Sequence, residues 1–254
     1  MISNRTSCLA TVILAGLCAL PASGWADMSD SRFSIGLETG AVRFARNDVR
    51  LPGDTGTRFD MTELTGADAG PIARLNLHWR VAARHELRFV VAPLAVSGTG
   101  MLTRETTFDD TTFAAGETEG TYQFSAYKLT YRYALPDRGR WRLGVGFTAV
   151  IRDAKIELQQ GTSVATDTNV GFVPALHVSG DYRLSERWSF RFDIDGLAGG
   201  PGRLLDLGAK LDYALTERWQ IGGGYRTVEG GADTDDLFTF AWINFGLLDL
   251  RYRF

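Results

Sequence analysis

The chain has 254 residues, 44% hydrophobic and 22% charged, with a formal net charge of -3. That balance excludes the strongly basic face that nucleic-acid binding requires, and beyond the first 26 residues no run approaches the roughly 18 apolar residues of a membrane-spanning helix. Cys8 and Cys18 are its two cysteines, so the rest of the chain has no disulfide, thiolate metal site or cysteine nucleophile.

Arg5 is the only charge before Asp27, and it precedes the apolar run from Leu9 to Leu20. Pro21, Ala22, Ser23, Gly24, Trp25 and Ala26 follow. A basic start, a short apolar stretch and small residues at Gly24 and Ala26 predict a secretory signal peptide over residues 1–26, cut near Ala26. Neither cysteine follows the small residues that mark a lipid anchor. Residues 27–254 then form one domain.

Residues 27–254 read as strands. Period-two alternation predicts ten, near 32–46, 70–81, 85–97, 120–135, 140–156, 169–184, 187–199, 203–215, 218–230 and 237–254, with eight or twelve as the alternatives. Tight connections fall near 82–84, 136–139, 184–186 and 215–217. Longer polar loops are expected at 47–69, 98–119, 157–168 and 231–236, whereas 199–202 is short where a long loop should stand. Short turns at one end and long loops at the other predict an all-β, antiparallel, up-and-down transmembrane barrel.

Aromatic residues support that register. Trp79, Tyr133, Trp141, Tyr182, Trp188, Tyr213, Trp219, Tyr252 and Phe254 all lie beside the tight turns or at the chain end, at the level where rings meet lipid headgroups. Between Trp188 and Leu197, Phe190, Phe192 and Ile194 share the lipid side with Trp188. Arg191, Asp193, Asp195 and Leu197 share the other. A one-residue slip would expose Arg191 and two aspartates to lipid, at about 2–4 kcal/mol for a mid-membrane arginine.

The same register turns Glu38, Arg74, Arg88, Lys128, Arg132, Arg142, Asp181, Arg191, Asp193, Asp195, Asp206, Lys210, Asp212, Arg226, Asp249 and Arg251 into the lumen. Signs so nearly balanced predict a paired ionic floor, because an unpaired buried ion is costly. Towards the long loops the inward residues become apolar: Phe44, Leu94, Tyr122, Phe124, Val150, Leu197, Ile243 and Phe245, with Ile72, Val96, Val173 and Leu204. Such side chains either pack on each other and on folded-in loops, or line a pocket for a small apolar ligand.

The last strand carries a resemblance. Phe254 ends it, with Tyr252, Leu250 and Leu248 at alternate positions before it. This resembles the closing strand of bacterial outer-membrane β-barrels, including the small OmpA-like and OmpW-like ones. The resemblance implies a Gram-negative outer-membrane location, insertion by the outer-membrane assembly machinery through that strand, and contact with outer-membrane lipids and lipopolysaccharide. Ten-stranded outer-membrane proteases are similar in outline, but they carry catalytic acids and histidines at the extracellular rim. Here His78 and His85 fall near the periplasm. His177 and Ser179 have the spacing found in lipid A deacylases, yet they face the lumen, where His177 is expected to bond Asp181 or a neighbouring aspartate. The acidic loops suit solvation better than divalent ions, and Asp193, Asp195 and Gly196 lack the spacing and closing glutamate of a calcium loop.

The sequence therefore predicts a non-enzymatic barrel, without cofactor or metal, that binds or passes small hydrophobic molecules through an apolar upper lumen. A structural barrel with a sealed lumen is the first alternative, a lipid A acyl hydrolase the second.

Overall fold

The computed structural model describes residues 31–200 and 202–254; the expected signal peptide lies outside them. In chain order the elements are β1 (Phe33–Arg50), β2 (Phe59–Asp60), the short helix α1 (Thr62–Thr65), β3 (Asp68–Ala82), β4 (His85–Ala92) and β5 (Ala95–Leu102). Then follow β6 (Thr106–Phe108), β7 (Thr111–Phe113), β8 (Gly116–Ala134), β9 (Trp141–Gln160) and β10 (Ser163–Arg183). The chain finishes with β11 (Trp188–Gly199), β12 (Gly202–Ala214), β13 (Trp219–Asp233) and β14 (Phe238–Arg253).

Each long strand pairs antiparallel with its sequence neighbours, and β14 returns to β1 from Ser34 opposite Arg253 to Arg50 opposite Phe238. Closure pairs the strands all the way round the lower wall, so no sheet edge runs the full height of the membrane. The result is a ten-stranded barrel. β4 and β5 count as one wall: both pair with β8, and the interruption falls at Pro93, which has no N–H to give. Phe124 bridges the interruption by donating its N–H to the Leu94 carbonyl at 2.8 Å.

The outward face is an apolar belt that includes Leu77, Leu129, Phe147, Leu176 and Leu248, all exposed. Below it the aromatics pair across neighbouring strands. Trp141 meets Tyr182 at 4.7 Å between ring centres, Trp188 meets Tyr213 at 4.9 Å and Trp219 meets Tyr252 at 4.8 Å. Their polar tips are held at the turn side, where Arg187 and Arg218 donate to the Tyr213 and Tyr252 hydroxyls. An exposed apolar belt bordered by amphipathic rings is what a bilayer stabilises and water does not.

The extracellular half departs from the expected loops. Segments 98–119 and 157–168 are largely strand: β5 and β8 remain paired to Leu102 and Gly116, and β9 and β10 to Gln160 and Ser163. Beyond the bilayer the outward face of a strand meets water instead of lipid, so the apolar residues that mark a membrane-spanning strand are replaced by polar ones on that face while the hydrogen-bond ladder continues. Likewise β13 runs to Asp233, leaving a short turn before β14.

Segment 51–66 and the β6–β7 hairpin fold into a plug over one side of the barrel mouth. Phe59, Met61, Leu64, Phe108 and Phe113 bury themselves there against Val49, Leu102 and Leu158 of the walls. Backbone lies directly on backbone: a Cβ on Gly100 would stand 2.0 Å from the Glu63 carbonyl oxygen. A glycine at that wall position is what lets α1 seat.

Candidate functional site

All sixteen charged residues expected in the lumen face inward, in two groups. The first is a closed layer across the middle of the barrel. Arg226 reaches both oxygens of Asp193, at 2.8 and 3.0 Å, and also bonds Asp206. Lys128 bonds Asp206 and, at 3.1 Å, Asp195. Lys210 bonds Glu38 and lies 3.5 Å from Asp249. Arg191 joins Asp249 to Asp212, while Arg88 stands 3.6 and 3.8 Å from Asp193 and Asp195. Arg74 contacts Glu38 only at 3.4 Å.

Strand geometry explains how long side chains lie flat in this layer. Arg226 on β13 is directly opposite Gly208 on β12. A Cβ on Gly208 would fall 2.6 Å from an Arg226 guanidinium nitrogen, so the missing side chain is the seat of the arginine.

The second group lies on the periplasmic side. Arg132, Arg142, Asp181 and Arg251 line a polar cavity of about 320 Å³, with His78, Ser179 and Arg253. Arg132 pairs with Glu86 at 2.7 Å and with Asp181 at 4.0 Å. The expected ionic floor is therefore a mid-barrel layer with a polar vestibule beneath it. The alternation that turned these residues inward fixes their face of the sheet, not their depth, which depends on strand tilt and stagger.

Above the layer is a second cavity, about 380 Å³, walled by Ile72, Leu94, Phe124, Val150, Val173, Leu197, Leu204, Val228, Ile243 and Phe245. Six of the eight apolar positions expected there are present. Phe44 and Tyr122 also face inward but belong to the side under the plug, where their rings meet edge to face at 5.7 Å and Tyr122 stacks on Phe124. The lumen is thus divided, with apolar side chains packed under the plug on one side and an apolar cavity on the other. Ile72, Val173, Val228 and Leu204 complete the lining, and the inward alternation of β3, β10, β13 and β12 is the signal that places them.

The cavity reaches the barrel wall. β10 pairs with β11 only from Arg183 opposite Ser189 up to Leu176 opposite Gly196. Above Leu176, β10 continues to Ser163 on its β9 side alone, while β11 leaves it and pairs only with β12 up to the turn at Gly199. Consecutive residues of a closed sheet face opposite sides. Here Gly171, Phe172, Val173 and Pro174 all border the cavity, so it extends around the free edge of β10. Phe172 is 68% exposed beside this break. From the girdle residue Tyr182 to Leu176, about 3.3 Å per residue on a strand tilted about 40° gives a rise of roughly 15 Å. The apolar band of such barrels is about 25 Å tall, so the break opens within the outer half of the membrane. A second interruption lies between β3, whose pairing with β4 stops at Leu75 opposite Val91, and β5.

His177 and His85 have defined partners. His177 is buried and its Nδ1 lies 2.7 Å from Asp195, which also accepts from Thr148 at 2.7 Å. The partner is Asp195 on the neighbouring strand rather than Asp181. Ser179 accepts from Arg132 Nε at 2.7 Å, and both residues line the lower cavity, away from lipid. His85 lies at a tight turn, bonded to the Tyr131 hydroxyl at 2.8 Å.

No family model and no curated protein matches the chain. Among solved structures, the outer membrane protease OmpT from Escherichia coli matches with a TM-score of 0.53 and 11% identity over 89% of this chain and 97% of its own. The translocator domain of the autotransporter NalP from Neisseria meningitidis gives 0.41 and 10%, over 88% and 89%. The Ralstonia pickettii toluene transporter TbuX gives 0.35 and 14%, over 89% and 64%. At these identities the OmpT likeness establishes the outer-membrane β-barrel fold and nothing about activity; the other two carry no argument.

Proposed function

We propose that this chain is a non-enzymatic protein of the bacterial outer membrane that takes small apolar molecules from the outer leaflet into the chamber above its ionic layer. Export by residues 1–26 and insertion through the last strand belong to the same reading. The observation that carries it is the chamber itself. An apolar cavity of about 380 Å³ stands over a paired ionic layer and borders a free strand edge. Its size is in the range of small-molecule sites. An apolar lining facing water is unfavourable at about 25 cal/mol per Å², a penalty that an apolar occupant removes.

The ionic layer argues against straight-through flow, since a solute moving down the axis would have to part Lys128 and Arg226 from Asp206. Exchange through the break between β10 and β11 needs no such step. Phe172, Pro174 and Leu197 border the break, so a hydrocarbon entering there meets apolar surface.

The test is binding of radiolabelled decanol to the barrel in lipid nanodiscs, with empty nanodiscs subtracted. Replacing Phe124 and Phe245 together by Asp is expected to abolish binding while the heat-dependent gel mobility of a folded barrel is kept. Unchanged binding in a folded double variant would overturn the proposal in favour of a sealed structural barrel.

A further inference from the structure

The chamber's lining is asymmetric in charge. Four cations border it, Arg74, Lys128, Arg152 and Arg203, against a single acid, Asp206. Two of the cations are already matched: Lys128 by Asp206 and Asp195, and Arg203 by the two oxygens of Glu229 at 2.6 to 3.0 Å. Arg152 bonds the neutral Asn169 at 3.0 Å.

Arg74 is different. Only 6% of it is exposed, yet among the described residues its one ion-pair contact is Glu38 at 3.4 Å, and its Nε has no hydrogen-bond partner. Glu38 is its cross-strand neighbour; one oxygen of that carboxylate is taken by Lys210, and the other, which faces Arg74, makes no hydrogen bond to it or to any other group. The guanidinium instead lies 6.0 Å from the centre of the Phe245 ring, at the base of the apolar chamber. A guanidinium presents up to five N–H donors in a plane suited to a carboxylate, and a buried charge without matched partners is costly.

We propose that Arg74 anchors the carboxylate of an apolar ligand whose hydrocarbon body fills the chamber between Ile72, Phe124, Ile243 and Phe245. This inference rests on the chamber being a binding site and adds the class of ligand: a small or medium-length hydrophobic carboxylate rather than a neutral hydrocarbon. β3, which bears Arg74, is wrapped between β1 and β4, and β10 lies further round the closed sheet. A ligand arriving at the β10 edge with its carboxylate leading would reach Arg74 across the lumen, with its tail along the apolar wall.

The experiment compares decanoate with decanol, the same chain with and without the charge, by equilibrium dialysis against the barrel in zwitterionic nanodiscs at pH 8. Empty discs are subtracted. The wild-type barrel is expected to bind decanoate at least tenfold more tightly than decanol, the scale of one charge-assisted hydrogen-bonded pair. Arg74→Met should bring decanoate to within about threefold of decanol, both measured on the same folded variant, and Arg74→Lys should restore part of the difference. Equal affinities in the wild type, a comparison that needs no variant, would overturn the anchor and leave the chamber standing. A preference that survives Arg74→Met in a folded barrel would also overturn it. Binding of neither probe would remove the chamber reading and this one with it.

Discussion

Replacing Arg226 with Ala tests whether the mid-barrel layer is dry. Arg226 is 2% exposed and bonds two aspartates that are themselves buried, Asp193 and Asp206. Without it, Asp193 retains Arg88 at 3.6 Å and Asp206 retains Lys128. Removing one partner of a buried ion pair costs about 3–5 kcal/mol. The surviving partners place this case near the lower end, about 3 kcal/mol. Urea unfolding in short-chain lipid vesicles, followed by tryptophan fluorescence and extrapolated linearly, reads that loss. The companion variant Arg226→Ala with Asp206→Asn removes one of the stranded charges, so it should recover at least 1 kcal/mol, a non-additivity expected of contacting residues. A loss below 1 kcal/mol for the single variant would mean that water already screens these charges, and the layer would not be a seal.

Three further outcomes follow from the same geometry. Ile194→Arg puts a charge on the lipid face of β11 and should destabilise the barrel by about 2–4 kcal/mol in the same assay, whereas Ser189→Arg, on the lumen face beside the periplasmic turn, should cost less than 1 kcal/mol. Gly100→Val drives a side chain into the Glu63 carbonyl and should unseat the plug, seen as faster protease cleavage within 51–66 with an intact barrel. Lipid A from cells overexpressing the protein should keep its full set of acyl chains, and Ser179→Ala should leave that pattern unchanged; loss of a chain restored by Ser179→Ala would reinstate the hydrolase.

What was legible in the sequence is what a bilayer imposes. Wherever one face of a strand touches lipid and the other the lumen, alternation is strict. Trp188 to Leu197 and Phe238 to Phe254 therefore gave their register directly, and with it the inward set of charges. Outside the membrane that constraint is absent. The outer ends of β9 and β10 carry Glu157, Gln159, Thr166 and Thr168 on the outward face, where lipid-facing strands carry apolar residues, and read as loop although they continue the ladder. The plug was also hidden, because Met61, Leu64, Phe108 and Phe113 are isolated apolar residues in polar segments, and only tertiary contact makes them a core. Alternation alone groups Phe44 and Tyr122 with the chamber, because it carries no sign of the plug that covers them. The break above Leu176 depends on unequal hairpin lengths, for which the short Gly199 to Gly202 connection was the one sequence sign.

The central claim is that the space above the ionic layer holds an apolar molecule. Crystals of the barrel soaked with 1-bromooctane would test it directly through the anomalous scattering of bromine. A peak is expected inside the barrel, bounded by Phe124, Val150, Ile243 and Phe245. Bromine confined to the outer apolar belt, with none in the chamber, would contradict it.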